Sequence, residues 1–258
     1  MKTLRYSSGY YDSLYDDSAR SARRVVPLLV KMFSPRTVID VGCGSGTWAR
    51  SFKHAGCQVT GVDGEHVKRE RLLITEQEFR RHDLNRPFKS DQRFDLAVSL
   101  EVAEHLPEER AGTFVEDLCR LSSIVVFSAA IPGQGGTHHI NEQWPSYWVE
   151  HFRKNNFVAS DCIRPQIWDD QEVVWWYRQN MFAFIEEDKR AAYAALIDSF
   201  RGSFPKDIVH PQAYVTATVP NEMSPRMLKE VIRALRHFPG KILRHLRKHP
   251  IPRDAKQS

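Results

Sequence analysis

Thr37 to Gly46 reads TVIDVGCGSG. A β-branched run leads to Asp40, and three glycines follow at alternate positions, Gly42, Gly44 and Gly46. β-Branched residues favour a strand, and glycine lets the backbone turn tightly and approach a ligand closely. The stretch predicts a strand that ends in a ligand-binding turn. Two kinds of ligand compete for it. Gly44 to Ala49, GSGTWA, formally fits the dinucleotide pattern G-x-G-x-x-[GA]. Asp40 points the other way, because a carboxylate two residues before the first glycine is awkward beside a pyrophosphate and favourable beside a cationic ligand.

Outward from this stretch the chain alternates. Upstream, Ala22, Val25, Val26, Leu29, Val30 and Phe33 have helical spacing. Pro27 is expected to delay or kink that helix, and Ser34-Pro35 to end it. Downstream come strand-like runs at Gln58–Gly64, before His82-Asp83-Leu84, at Phe94–Leu100 and at Ser123–Ala129. Between the last two lies a helix with Pro107 near its start and Ala111, Phe114, Val115 and Leu118 on one face. A helix over Pro145–Lys154, strands near Val158–Ile163 and Met181–Ile185, and helices over Ala191–Phe200, Ser224–His237 and Lys241–His249 complete the pattern. Such alternation argues for a parallel sheet with helices on both faces. Right-handed crossovers then bring the strands' C-terminal ends to one edge, where ligands bind. On that edge Asp63 can hold a ribose diol, Asp83 can meet an adenine amino group, and SLEVAEHL adds Glu101, Glu104 and His105.

Through VIDVGCGSG, VTGVDG, RHDL and FDLAVSLEVAEHL, in that order, the sequence resembles the class I S-adenosylmethionine (SAM)-dependent methyltransferases. The likeness covers roughly residues 20–186. It implies a Rossmann-like, doubly wound α/β fold with a seven-stranded, mostly parallel sheet, and a helical C-terminal extension. The implied division is an N-terminal lid over 1–18, the methyltransferase domain over 19–187 and a basic extension over 188–258. The implied cofactor is SAM, leaving as S-adenosylhomocysteine (SAH). The Asp40–Gly46 loop, with Gly42, Cys43, Gly44 and Gly46, would pass under its amino acid end. Asp63 and Gly64 would meet the ribose, Asp83 and Leu84 the adenine, and Leu100, Glu101 and Val102 the methionine moiety. Tyr11, with Tyr10 and Tyr15, would belong to a lid over the cofactor.

In this fold the segment after the fifth strand faces the reacting methyl. Here it is IPGQGGTHHINEQWPSYW, Ile131 to Trp148. A hydroxyl acceptor must lose a proton, and a histidine titrating near ~6.5 suits that task at neutral pH. His138 and His139 are candidate bases, with His105 the third. Neighbours in an extended segment point to opposite sides, so one of the pair should face the pocket. Equally, a histidine in a glycine-rich loop can simply brace it. His105, His138, His139, Glu101 and Glu104 could instead hold a divalent ion; no two of them have a diagnostic spacing, and no metal is expected. Asn141 either orients substrate or caps the helix that Pro145 opens. Trp144, Trp148 and Phe152 recur every four residues and read first as a buried face, with Trp144 as a substrate platform second. Tyr147 lies off that stripe and is the better pocket candidate. Trp175, Trp176 and Tyr177 suit ring-shaped acceptors or core packing.

The bulk properties fit. Cys43, Cys57, Cys119 and Cys162 form no C-x-x-C pair, and no apolar run could span a bilayer. With no signal peptide read at the N-terminus, a cytoplasmic location is expected. The net charge of +5 is uneven: residues 225–253 carry nine Lys and Arg against one Glu. That segment suits packing on its own domain or a second copy, as in a homodimer, or peripheral contact with an anionic membrane. Nucleic acid is disfavoured, since no RNA-binding module accompanies it. The expectation is O-methylation of a small-molecule, sugar or glycosylated acceptor. The alternatives are an RNA methyltransferase using the basic tail and a non-catalytic SAM-binding scaffold.

Overall fold

The computed structural model describes residues 8–198 and 207–218, with side chains over 17–198 and 207–214. The chain divides into two units, residues 1–214 and 215–258. The helices expected at Ser224–His237 and Lys241–His249 lie outside the described residues.

The first element is helix α1, Ser8–Phe33, which continues without a break through Pro27 and so does not start late. The sequence pattern led us to expect a late start or a kink there. Proline lacks an N–H and so leaves the carbonyl four residues earlier unserved. Here Arg23 and Pro27 are both exposed, so water can take that bond. Ser34 ends the helix in the left-handed region, φ 48°, with its N–H on the Val30 carbonyl.

Strands β1 (Thr37–Val41), β2 (Gln58–Asp63), β3 (Phe79–Arg81), β4 (Leu96–Leu100), β5 (Ile124–Ser128), β6 (Phe157–Ser160) and β7 (Phe182–Glu186) form one sheet in the order β3-β2-β1-β4-β5-β7-β6. Strands β1 to β5 pair in parallel; β7 runs antiparallel to both β5 and β6. The mostly parallel, seven-stranded sheet expected from the sequence is present, with its last two strands where they were anticipated.

Alternate residues of the strands feed two cores. Val38, Leu96, Val98 and Val126 face α1 and helix α2, Thr47–His54. Ile39, Val41, Ala97, Val125 and Phe127 face helices α3, Glu108–Leu121, and α4, Pro145–Lys154. Strands buried on both faces read as near-continuous apolar runs, which is why LAVSL and IVVFS could be recognised. Phe152 stacks on Phe184 at 3.7 Å between ring centroids, closing the second core. Helices α5 (Arg164–Ile167), α6 (Trp175–Asn180), α7 (Ala194–Asp198) and α8 (Pro211–Thr218) follow β6, with β7 between α6 and α7. The helix expected over Ala191–Phe200 begins as a 3₁₀ turn, Glu187–Tyr193, before α7. The strand order reverses between β1 and β4, so the loops leaving their C-terminal ends diverge and open a crevice.

Candidate functional site

Three loops meet at that crevice: residues 42–46 after β1, 101–107 after β4, and 129–144 after β5. Their conformations need particular residues. Gly42 sits at φ +82°, and a Cβ there would lie 2.3 Å from Val102 Cγ2. Only glycine lets the two loops touch. Glu101 and His138 also adopt the left-handed region, at φ 56° and 62°, although neither is glycine. Such strain clusters at functional loops.

Two adjoining cavities fill the crevice. The first, about 510 Å³, is lined by Asp63, Gly64, Asp83, Leu84 and Val102 among others, and by His138. The second, about 520 Å³, is lined by Cys43, Trp48, Leu100, Glu104, His139 and the aromatics Trp175, Trp176 and Tyr177 among others. Gly42, Gly44, Glu101, His105 and Thr137 line both. Among the described residues, neither cavity wall contains a lysine or arginine. The acidic groups there are Asp63 and Asp83 in one cavity, Glu104 in the other, and Glu101 in both.

Asp63 is buried, and its two oxygens accept from the Gly44 and Gly64 N–H groups, each at 2.6 Å. It ties the β1 and β2 loops together while keeping further lone pairs for a ligand. Asp83 is more exposed and is held below the usual carboxylate range by hydrogen bonds from Asn85. Asp40 lines neither cavity. It is buried beneath α2, accepts from the Ala49 N–H at 3.1 Å, and burial raises it to about 7. Gly46 likewise lines neither cavity; it turns the chain into α2 at φ +88°. Burial, with Asp40 nearby, pushes the Cys43 thiol far up, so its backbone is what it offers the crevice. Tyr11 lies within α1, but its side chain is outside the described set.

The two histidines part company. His138 borders the first cavity and His139 the second, on opposite sides of the loop. The His105 and His139 rings meet edge to face, with centroids 4.9 Å apart. Burial is the main influence on His105, whose pKa is lowered, which favours the neutral imidazole. Glu104 lies beside them, wholly buried, and neither carboxylate oxygen makes a well-formed hydrogen bond. Burial pushes its pKa well up, and the nearby Glu101 pushes it further. Glu101 is raised too by burial, but it accepts from Gln134 Nε2 at 2.8 Å and Asn180 Nδ2 at 3.1 Å. One ligand atom each from Glu104, His105 and His139 lies within 4.8 Å of the others, so this trio could hold a metal ion.

Asn141, Trp144 and Tyr147 line neither cavity. Asn141 is buried, its Oδ1 accepting from Gln143, and it makes no cap for α4. Trp144 is 39% exposed at the N-terminus of α4. Tyr147 packs on Trp148 and His151 at the edge of the second core. The residues that replace them were mostly less visible in the sequence. Trp48 donates to the Tyr177 hydroxyl at 3.4 Å across 129 residues. Gln134 joins Glu101 to Asn180. Only the WWYRQN run had marked this side as a pocket candidate.

Residues 15–160 match the methyltransferase domain family, more than half of the chain. The chain belongs to that family. Its fold is that of the class I SAM-dependent methyltransferases. Streptomyces venezuelae DesVI superposes with a TM-score of 0.54 over 70% of this chain and 100% of its own, at 15% identity. The magnesium protoporphyrin IX methyltransferase of Synechocystis PCC 6803, solved with bound SAH, superposes with a TM-score of 0.50 over 72% of this chain and 90% of its own, at 17% identity. Among curated relatives, a probable chloroplastic tocopherol O-methyltransferase of Oryza sativa is 37% identical over 99 residues. A ubiquinone biosynthesis O-methyltransferase of Serratia proteamaculans is 35% identical over 80 residues. These matches cover 34% and 28% of this chain, and 26% and 33% of the relatives. The matched region thus spans about a quarter to a third of those relatives' length.

Proposed function

We propose that this methyltransferase-family chain methylates a hydroxyl on a small-molecule, sugar or glycosylated acceptor, using SAM. The observation that carries the reading is the acidic lining of the crevice: four carboxyl groups and, among the described residues, no lysine or arginine border it. Such a wall repels a diphosphate and suits a sulfonium nucleoside, so the residues fit SAM and not a dinucleotide. SAM supplies an activated methyl, whose S–C bond breaks with its electron pair staying on sulfur as the acceptor oxygen forms the C–O bond.

The first cavity takes the nucleoside. Asp63 accepts from the ribose hydroxyls, Asp83 and Leu84 border the adenine, and Val102 packs against it. The open backbone of Gly42 and Gly44, with Leu100 and Glu101, holds the amino acid end. The second cavity takes the acceptor, between Trp175–Tyr177 and the His139 loop. The two cavities meet at Gly44, Glu101 and His105, so acceptor and methyl can be aligned there. His139 and His105, both beside Glu104, stand at the end of the site where the hydroxyl proton is lost. His138 lies on the nucleoside side and is not the base. The O-methyltransferase names of the curated relatives support an oxygen acceptor.

Methyl transfer from labelled SAM to a panel of phenolic and sugar hydroxyl acceptors tests the reading, with SAH binding followed by calorimetry. Replacing both His105 and His139 with Ala should lower turnover ~10²–10⁴-fold and leave SAH affinity within about threefold. Undiminished turnover would remove the base role. SAH binding without transfer to any hydroxyl would mark a SAM-binding scaffold instead.

A further inference from the structure

The proton-removing end of the acceptor cavity is built like a cation site. The Glu104 carboxylate is completely buried, and neither oxygen has a well-formed hydrogen bond; only the backbone N–H groups of Glu104 and Ala130 lie near enough to favour its charge weakly. Burying a carboxylate without well-formed hydrogen bonds is costly. Two imidazoles stand beside it, and each has its Nδ1 engaged elsewhere. His139 Nδ1 lies 2.9 Å from Glu142 Oε1, and His105 Nδ1 lies 3.3 Å from the His138 carbonyl oxygen. A carboxylate or carbonyl at Nδ1 fixes the proton there and leaves the Nε2 lone pair free, the arrangement that backs metal-bound histidines.

The supporting shell is itself tied down. Glu142 accepts from the Gly133 and Gly135 N–H groups at 2.8 Å each. The Ile140 and Asn141 N–H groups both donate to the Glu104 carbonyl, fastening the histidine loop to the loop after β4. A Cβ on Gly136 would lie 2.2 Å from His139 Nε2, so only glycine leaves that ring in place.

We propose that Glu104, His105 and His139 bind a divalent cation at the inner wall of the acceptor cavity. One carboxylate and two imidazoles suit a first-row transition ion such as Mn²⁺, Fe²⁺, Co²⁺ or Zn²⁺. Held there, the ion would make an acceptor hydroxyl in the cavity more acidic on contact. The hydroxyl proton then leaves to water, and the two histidines serve as ligands in place of bases. The cation's role in transfer rests on the hydroxyl-acceptor reading above; its binding does not.

The full-length chain, stripped with a chelator and dialysed, is titrated with Mn²⁺ by electron paramagnetic resonance and with Zn²⁺ by calorimetry, without acceptor. One site per chain is expected. Glu104→Gln should weaken it at least ~100-fold with SAH affinity unchanged, and His105→Asn ~10–100-fold with SAH affinity within about threefold. His105 is exposed, so its variant remains informative if the Glu104 variant fails to fold. Failure of the wild-type chain to bind either ion below millimolar concentration, or unaltered binding by His105→Asn, overturns the inference. Hydroxyl methylation that persists in chelator would sink the cation and keep the acceptor reading. Tight cation binding without hydroxyl methylation would do the reverse.

Discussion

Asp40 offers the sharpest physical test. It stands at the heart of the stretch that defines the fold, yet it is 3% exposed, and its one protein hydrogen bond comes from the Ala49 N–H. Burial raises its pKa from 3.8 to about 7, against a modest lowering by that N–H and a further push from Asp63. Because the folded-state value is raised, the carboxyl's contribution is most favourable below pH ~4. That contribution declines as pH climbs toward 7. At 1.36 kcal/mol per pH unit, the ionised form costs the folded state ~4 kcal/mol at pH 8 but only ~1.5 kcal/mol at pH 5. Asp40→Asn keeps an oxygen for the Ala49 N–H and has no charge to bury. The variant should therefore gain stability over wild type by ~2–3 kcal/mol more at pH 8 than at pH 5. Paired urea denaturation curves at the two pH values, without cofactor, measure this. An equal effect of the substitution at both values would refute the assignment of a buried, titrating carboxyl beneath α2.

Two more substitutions probe the scaffold. Gly42→Ala combines a left-handed backbone with a Cβ 2.3 Å from Val102, and should cost about 1–3 kcal/mol and weaken SAH binding by calorimetry. Adding Val102→Ala relieves the contact but not the φ, so only part of the loss should return. Asp117 is buried in α3, pairs with Arg110 and Arg120, and accepts from the Phe88 N–H at 2.9 Å. Asp117→Asn strands the buried Arg110 guanidinium and should destabilise by ~3–5 kcal/mol in urea denaturation. A loss under 1 kcal/mol would mean that water reaches that pair.

Much of this protein is legible from local chemistry. A strand buried on both faces must be apolar throughout, so IVVFS and LAVSL announced themselves. The three glycines after β1 each carry a positive φ, a backbone need that side-chain-bearing residues meet poorly. Those features, with acidic residues after successive strands, were enough to anticipate the sheet and its ligand-bearing edge. Pro27 does not delay the helix, because Arg23 and Pro27 face water, which can serve the carbonyl the proline leaves open; only the tertiary orientation of α1 decides that. Asn141, Trp144 and Tyr147 looked like pocket residues because aromatic and amide groups serve cores and pockets equally well. Only the tertiary structure told them apart: Tyr147 packs on Trp148 and His151, Asn141 is buried with Gln143, and Trp144 is left exposed. The union of Glu104 with His139, and of Trp48 with Tyr177, joins residues 35 and 129 positions apart. No local periodicity encodes such pairs. They exist because parallel strands deliver their C-terminal ends to one edge, so distant loops must share a single crevice.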